Sequence, residues 1–228
     1  MIVTIHQPEH LPWLGFFHKI LSADLFVVLD NVQYRKNYFQ NRNRIFTPNG
    51  PVWVTVPVRT KGHTSATIAE MKIAHNGGRW QRKYWKTLEQ AYKKHPYYEL
   101  YAPGLREILF GQWDLLADLN MALIEFLLQA LGREVKMLRA SHLGVEGTSS
   151  RLLLEICRQV GASTYLSGPS GRDYLDESLF HAEGIDVRYH DFQHPVYPQK
   201  GAENFIPNLS VVDLLMNAGA SAVEILGV

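Results

Sequence analysis

"TIHQPEHLPWLGFFHKI", residues 4–20, carries the chain out of a hydrophobic strand, across two prolines and into a helix that opens near a glycine. Met1 to Ile5 is a short apolar run with β-branched residues, the pattern of a buried strand. Pro8 and Pro12 exclude both helix and sheet ladder over residues 7–12. From Trp13 to Ala23 the period is helical, with Trp13, Phe16, Phe17, Ile20 and Leu21 on one side. His6, Gln7, Glu9 and His10 therefore fall on a strand-to-helix turn, the place where α/β proteins bind ligands.

Working outward, "LFVVLD" (25–30) reads as a second buried strand with Asp30 near its C-terminal end. "VWVTVPV" (52–58) reads as a third, and Pro57 marks it as an edge or a strand end. Residues 59–78 are polar and close on Gly77 and Gly78, the composition of a mobile loop. Helical periods follow over about 79–94, 98–110 and 113–131, a helical insertion or subdomain spanning roughly residues 79–131. Alternation then resumes: strands over 135–141, 163–168 and 185–192, helices over 148–161, 176–184 and 208–219. β-α-β units at both ends of the chain predict an α/β fold, a parallel sheet covered by helices in one domain over 1–228. Its site belongs at the carboxyl edge of the strands, which gathers residues 6–10, 30–44, 141–150, 167–174 and 190–199 on one rim.

The net charge of +1 leaves no global attraction to nucleic acid or to an anionic membrane. A single cysteine, Cys157, precludes an internal disulfide and reads as a packed thiol in a reducing compartment. The start lacks the pattern of a signal peptide, and no apolar run reaches the ~18 residues of a membrane span. These features predict a cytoplasmic protein without membrane insertion; homo-oligomerisation stays open.

Four constellations can carry chemistry. His6 and His10 stand where an imidazole can meet a phosphate or a leaving-group oxygen, with Gln7, Trp13 and Gly15 beside them. A metal reading of His6, Glu9, His10 and His18 competes, but no cysteine accompanies them and the prolines keep His6 and His10 off a shared helical face. "YRKNYFQNRNRI" supplies Arg42 and Arg44 as guanidinium clamps for an anion, Gln40, Asn41 and Asn43 to read hydroxyls or base edges, and Tyr34 as a stacking wall. Its irregular polarity argues against a core element, and a solvated basic loop is the plain alternative. "YLSGPSGRDYLD" (165–176) places Gly168, Ser170 and Arg172 on a turn after a strand, and "GTSSR" puts Ser149 and Ser150 in a first helical turn. His190 and His194 in "YHDFQHPVY" are candidate bases, although Asp191 points to the opposite strand face from His190.

In combination, "HQPEHLPWLGFFHKI", "DNVQYRKNYFQNRNRI", "VWVTVPV", "RWQRKYWKTLEQAY", "YLSGPSGRDYLD" and "FIPNLSVVDLLMNAG" resemble the WbqC-like protein family over nearly the whole chain. Members occur among bacterial surface-polysaccharide genes, so the resemblance implies work on a sugar precursor such as an amino sugar. A more distant likeness to nucleotidylyltransferase-type Rossmann-like domains rests on His10, Gly15, Ser149 and Ser150; Phe16 stands where that pattern has its second histidine. Together these imply a Rossmann-like transferase that binds a nucleotide or nucleotide-linked sugar. Acyl or aminoacyl transfer through an adenylate is one route, with ATP and Mg as the cofactors that route uses. A non-catalytic sugar-nucleotide-binding or scaffold protein and a metal-dependent hydrolase are the rival readings.

Overall fold

The computed structural model describes residues 1–60 and 65–228. In chain order it contains β1 (Ile2–His6), α1 (Leu14–Leu21), β2 (Leu25–Val28), β3 (Arg42–Ile45), β4 (Val52–Thr55), α2 (Arg79–Tyr92), α3 (Tyr98–Phe110) and α4 (Leu116–Ala130). It continues with β5 (Lys136–Arg139), α5 (Ser149–Gln159), β6 (Thr164–Ser167), α6 (Glu177–Ala182), β7 (Asp186–Tyr189), α7 (Val211–Ala218) and α8 (Ala222–Leu226). The chain groups into two compact units. Unit 1 is Met1–Gln7, Gly15–Asn31 and Val135–Gln193; unit 2 is Pro8–Leu14, Val32–Glu134 and His194–Val228.

Unit 1 is an α/β fold around five parallel strands in the order β5-β2-β1-β6-β7. Numbered by their appearance in the chain, these strands run 3-2-1-4-5 across the sheet, the Rossmann order. Burial follows position. β2 ("LFVV") and β6 ("TYLS") are buried throughout, whereas the edge strands β5 and β7 alternate exposed and half-buried residues. Thr4, the polar residue in the centre of β1, is fully buried and donates its hydroxyl to the Leu166 carbonyl at 2.8 Å. Helix α1 buries Phe16, Phe17 and Ile20. Cys157 of α5 is buried, and burial pushes its thiol up to about 12, as expected of a packed residue.

Unit 2 holds helices α2, α3, α4, α7 and α8 and an antiparallel β3–β4 hairpin. The segment "VWVTVPV" thus pairs outside the parallel sheet, and its partner "RNRI" is a strand where the sequence suggested an irregular loop. In "RNRI" only Ile45 is apolar and buried Asn43 shares its face, so hydrophobic patterning does not mark a strand. Helices α3 and α4 pack closely: a Cβ on Gly104 would come within 2.4 Å of the Phe126 ring, so the approach requires glycine. The polar stretch over 59–78 is anchored among the described residues, because Ile68, Met71 and Ile73 are buried and Val58 bridges to Ile73. Residues 61–64 of that expected loop, with His63, lie outside the described residues.

The proline turn and the Arg/Asn-rich segment meet in unit 2. His10 N–H donates to the Phe39 carbonyl at 2.8 Å, and Asn43 Nδ2 donates to the Leu11 carbonyl at 2.9 Å. Leu11 adopts φ +41°, a conformation that costs a leucine about 1–3 kcal/mol and persists here through full burial and that bond. Asn120 of α4, fully buried, donates to the carbonyls of Pro8 (3.0 Å) and Gln40 (2.7 Å). Its Oδ1 faces His10 Nδ1 at 2.9 Å, and Tyr84 Oη faces Nε2 at 2.8 Å. Asn120 Oδ1 accepts from Nδ1–H, and in the neutral ring Nε2 then accepts from the Tyr84 hydroxyl. Burial, opposed by Asn120, lowers the His10 pKa to about 4.

Two outcomes follow for this network. Asn120→Leu orphans three buried groups and should lower urea-denaturation stability by about 3 kcal/mol or more. Because the unfolded ring protonates near the ordinary 6.5 and the folded one near 4, the neutral ring's contribution is complete above 6.5 and lost as pH falls. Stability should drop between those values by about 3 kcal/mol, and His10→Gln should flatten that acid limb.

Candidate ligand site at the carboxyl edge of the sheet

Unit 1 reverses its strand order between β1 and β6: β1 leads through α1 to β2 on one side, and β6 leads through α6 to β7 on the other. In open parallel sheets, the crevice beyond the carboxyl ends at such a reversal binds ligands, since the connections diverge there. His6 ends β1. Ser167 and Gly168 end β6, and His190 follows β7 with its backbone N–H donated to the Ser167 carbonyl at 2.8 Å. Helix α1 brings His18 and Lys19 to the same edge. Lys19 is only 4% exposed despite its charge, and its Nζ lies 3.8 Å from where a Cβ on Gly168 would sit. The β6 turn is tight enough that a Cβ on Gly171 would fall 2.1 Å from Ser167 Oγ.

Three imidazoles surround this ammonium-bearing edge. His18 Nδ1 and His190 Nε2 lie 2.6 Å apart, so one nitrogen carries the proton that the other accepts. Phe192 flanks both, 5.1 Å from His18 and stacked at 10° on His190. His6 sets Nδ1 against the Gln7 carbonyl at 3.1 Å and packs edge-on against Phe16. Burial first, and the Lys19 charge second, hold His6 well below the ordinary histidine range, with the Gln7 carbonyl opposing. Burial, then His18 and Lys19, bring His190 down to about 4 against the pull of Asp191. Burial also lowers His18. At neutral pH the edge therefore offers one cation and three neutral imidazoles, which can balance an anion and accept a proton.

The other residues singled out in the sequence have different surroundings. His10 is interior and uses both ring nitrogens on protein partners. His194 does the same, with Nδ1 facing the Pro195 carbonyl and Nε2 accepting from the Asn208 N–H, and it stacks on Trp13 at 6.4 Å. The amides expected to read a ligand hold loops: Gln40 Oε1 accepts from Arg35 N–H, Asn41 donates to the Val56 carbonyl and Asn43 to Leu11. Tyr34 is 9% exposed in unit 2, and Gly15 is buried at the start of α1. Ser150 Oγ accepts from the Asp176 N–H and reaches the Tyr174 carbonyl, tying α5 to the turn before α6, while Ser149 is exposed with φ +52°. Ser170 is exposed, and Arg172 lies 4.1 Å over the Tyr189 ring. Arg42 and Arg44 stand on the β3–β4 hairpin of unit 2.

Of the four ligand types in the metal reading, His6 and His18 belong to unit 1 and Glu9 and His10 to unit 2. No group of three His, Cys, Asp or Glu among the described residues is placed to hold a metal ion. Lys19 escaped the sequence reading because it flanks the apolar stripe of α1, a position that reads as solvent-facing. The Gly168 turn that its Nζ approaches arrives far later in the chain. His18 was visible only as a metal-ligand type.

The fold and its edge define a Rossmann-type α/β protein with a basic, imidazole-lined switch point. The chain belongs to the WbqC-like protein family, whose model matches residues 7–225. "Uncharacterized protein Rv1507c" of Mycobacterium tuberculosis is 34% identical over 226 residues, covering 98% of this chain and 96% of that relative. No solved structure matches the chain. Among the described residues no helix is long and apolar enough to cross a membrane.

The His18–His190 contact makes a spectroscopic prediction. Two imidazoles that share one hydrogen cannot both become cations without losing it, so they titrate as a coupled pair. In an NMR titration both rings should remain neutral at pH 7 and take up the first proton below the ordinary 6.5, and His18→Ala should return His190 toward the ordinary range. An unchanged His190 titration in that variant removes the pair from the site.

Proposed function

We propose that the protein is a transferase of bacterial surface-polysaccharide or glycoconjugate precursor synthesis, binding a nucleotide or nucleotide-linked amino sugar at the β1/β6 switch point. The observation that carries this reading is Lys19, a buried ammonium set beside the Gly168 turn with His6 and His190 around it. A phosphate at this turn would meet the Lys19 charge and the backbone of the tight turn after β6. Membership of the WbqC-like family is the ground for the sugar-precursor context, because members occur among bacterial surface-polysaccharide genes.

In an acyl or aminoacyl transfer, the acceptor amine nitrogen bonds to the acyl carbon while the bond to a phosphate oxygen breaks. The departing oxygen gains negative charge, which Lys19 stabilises. The proton displaced from the amine goes to a neutral imidazole, and His190 and His6 are both held in that state. A phosphate bound at Lys19 offsets the ammonium that lowers both rings, so ligand binding strengthens them as bases. With ATP as donor, magnesium would come bound to its phosphates.

Thermal-shift measurements against nucleotides and nucleotide sugars test this reading. A ligand held at ~100 times its dissociation constant should stabilise the fold by about 2.7 kcal/mol. Lys19→Met should abolish the shift, and His190→Ala should spare binding while removing turnover. Binding without turnover in the wild type favours the sugar-nucleotide-binding scaffold. The absence of any shift across the panel would falsify nucleotide recognition.

A further inference from the structure

The β3–β4 hairpin of unit 2 carries a second chemical feature. Register pairs Arg44 with Trp53 and Arg42 with Thr55, so these four side chains share one face. The opposite face, Asn43, Ile45 and Val54, is buried. On the outward face Trp53 is 44% exposed, with the Arg42 guanidinium 4.3 Å from its ring and Arg44 at 5.9 Å. Beside it Phe39 lies 5.8 Å from Trp53 and leads to Tyr38, 40% exposed beneath Arg35 at 4.8 Å. Among the described residues no carboxylate pairs with Arg42 or Arg44, and the Nε atom of each is buried without a hydrogen-bond partner. The sequence explains the imbalance: from Asn31 to Ala69 there is no acidic residue and there are six Lys or Arg.

We infer that this hairpin face binds a carbohydrate chain bearing carboxylate groups. Arg42 donates Nη2 to the Asn37 carbonyl and Arg44 donates Nη2 to the Asn208 carbonyl, which fixes both guanidinium groups and leaves each Nη1 and its charge for a carboxylate oxygen. The exposed indole offers a flat apolar surface for the face of a pyranose ring, and Thr55 offers a hydroxyl to pair with sugar hydroxyls. The chemistry favours an acidic glycan over the other polyanions. The cationic area is one short hairpin in a chain of net charge +1, without the extended basic track that follows a nucleic-acid backbone. It also has no apolar helix face to insert into a lipid surface. The inference stands on unit 2 alone and does not depend on nucleotide binding at the sheet edge of unit 1.

Calorimetric titration of the full chain with oligogalacturonate, against neutral maltohexaose of similar length, tests it. Oligogalacturonate should bind, more weakly as salt rises, and maltohexaose should not. The double change Arg42→Gln with Arg44→Gln and the single change Trp53→Ala should each weaken binding about tenfold or more. Thr55→Glu, on an exposed position that leaves the core untouched, should do the same by giving Arg42 an internal carboxylate. Each variant should keep the wild-type melting temperature and any nucleotide-induced shift. Equal binding of the neutral chain, or unchanged affinity in Thr55→Glu, overturns the proposal. So does preferential binding of single-stranded DNA or phosphatidylglycerol vesicles that is lost in the same variants.

Discussion

The central position of β1 is the constraint on which unit 1 depends. Its residues pair on both sides at once: Thr4 stands opposite Phe26 of β2 and opposite Leu166 of β6. A strand flanked by parallel partners is buried on both faces and along both edges, so its polar content must be satisfied internally, as Thr4 is by the Leu166 carbonyl. Once β1 is central, the helix that follows it runs one way and the connection after β6 runs the other. His6, the first residue freed from full burial, then stands at the divergence. Lys19 and His18 follow from the same placement, because α1 must pack back on the sheet it has just left.

Polar side chains in this protein divide by whether their hydrogen-bonding capacity is already consumed. Asn120, His10 and Tyr84 form a closed set in unit 2, and so does Asp213, which accepts from Tyr92, Tyr197 and Gln199. Burial alone would push the Asp213 carboxyl up, and the three donors oppose that shift. Such groups fix geometry and have nothing left to offer a ligand. The guanidinium groups of Arg42 and Arg44 on the hairpin differ, since no carboxylate of the described residues forms an ion pair with either. Chemistry is to be expected from the second class.

The sequence made the parallel sheet legible because its strands are apolar runs set between helical periods. The strand limits over 25–28, 136–139, 164–167 and 186–189 each fall inside the segments that hydropathy marks. What it concealed was set by tertiary contacts. Asn41 and Asn43 look like ligand-reading amides because their acceptors, the carbonyls of Val56 and Leu11, are backbone groups without a sequence signature. His10 looks free because Asn120 lies 110 residues away. Lys19 looks solvated because the Gly168 turn beside its Nζ comes more than a hundred residues later in the chain. The positions of His6 and His190 at the sheet edge were legible for the opposite reason: each directly follows or ends a strand, and a parallel sheet fixes where strand ends go.

The path of the backbone has a consequence for how the molecule is made. The chain passes between its two units five times, after Gln7, Leu14, Asn31, Glu134 and Gln193. Met1 and Ser163, joined through the N-terminal ammonium, are separated by 162 positions. During synthesis β1 and β2 must therefore wait, with one long edge unprotected, until β6 leaves the ribosome. Slow closure and a demand for chaperone shelter are built into such a high-contact-order topology.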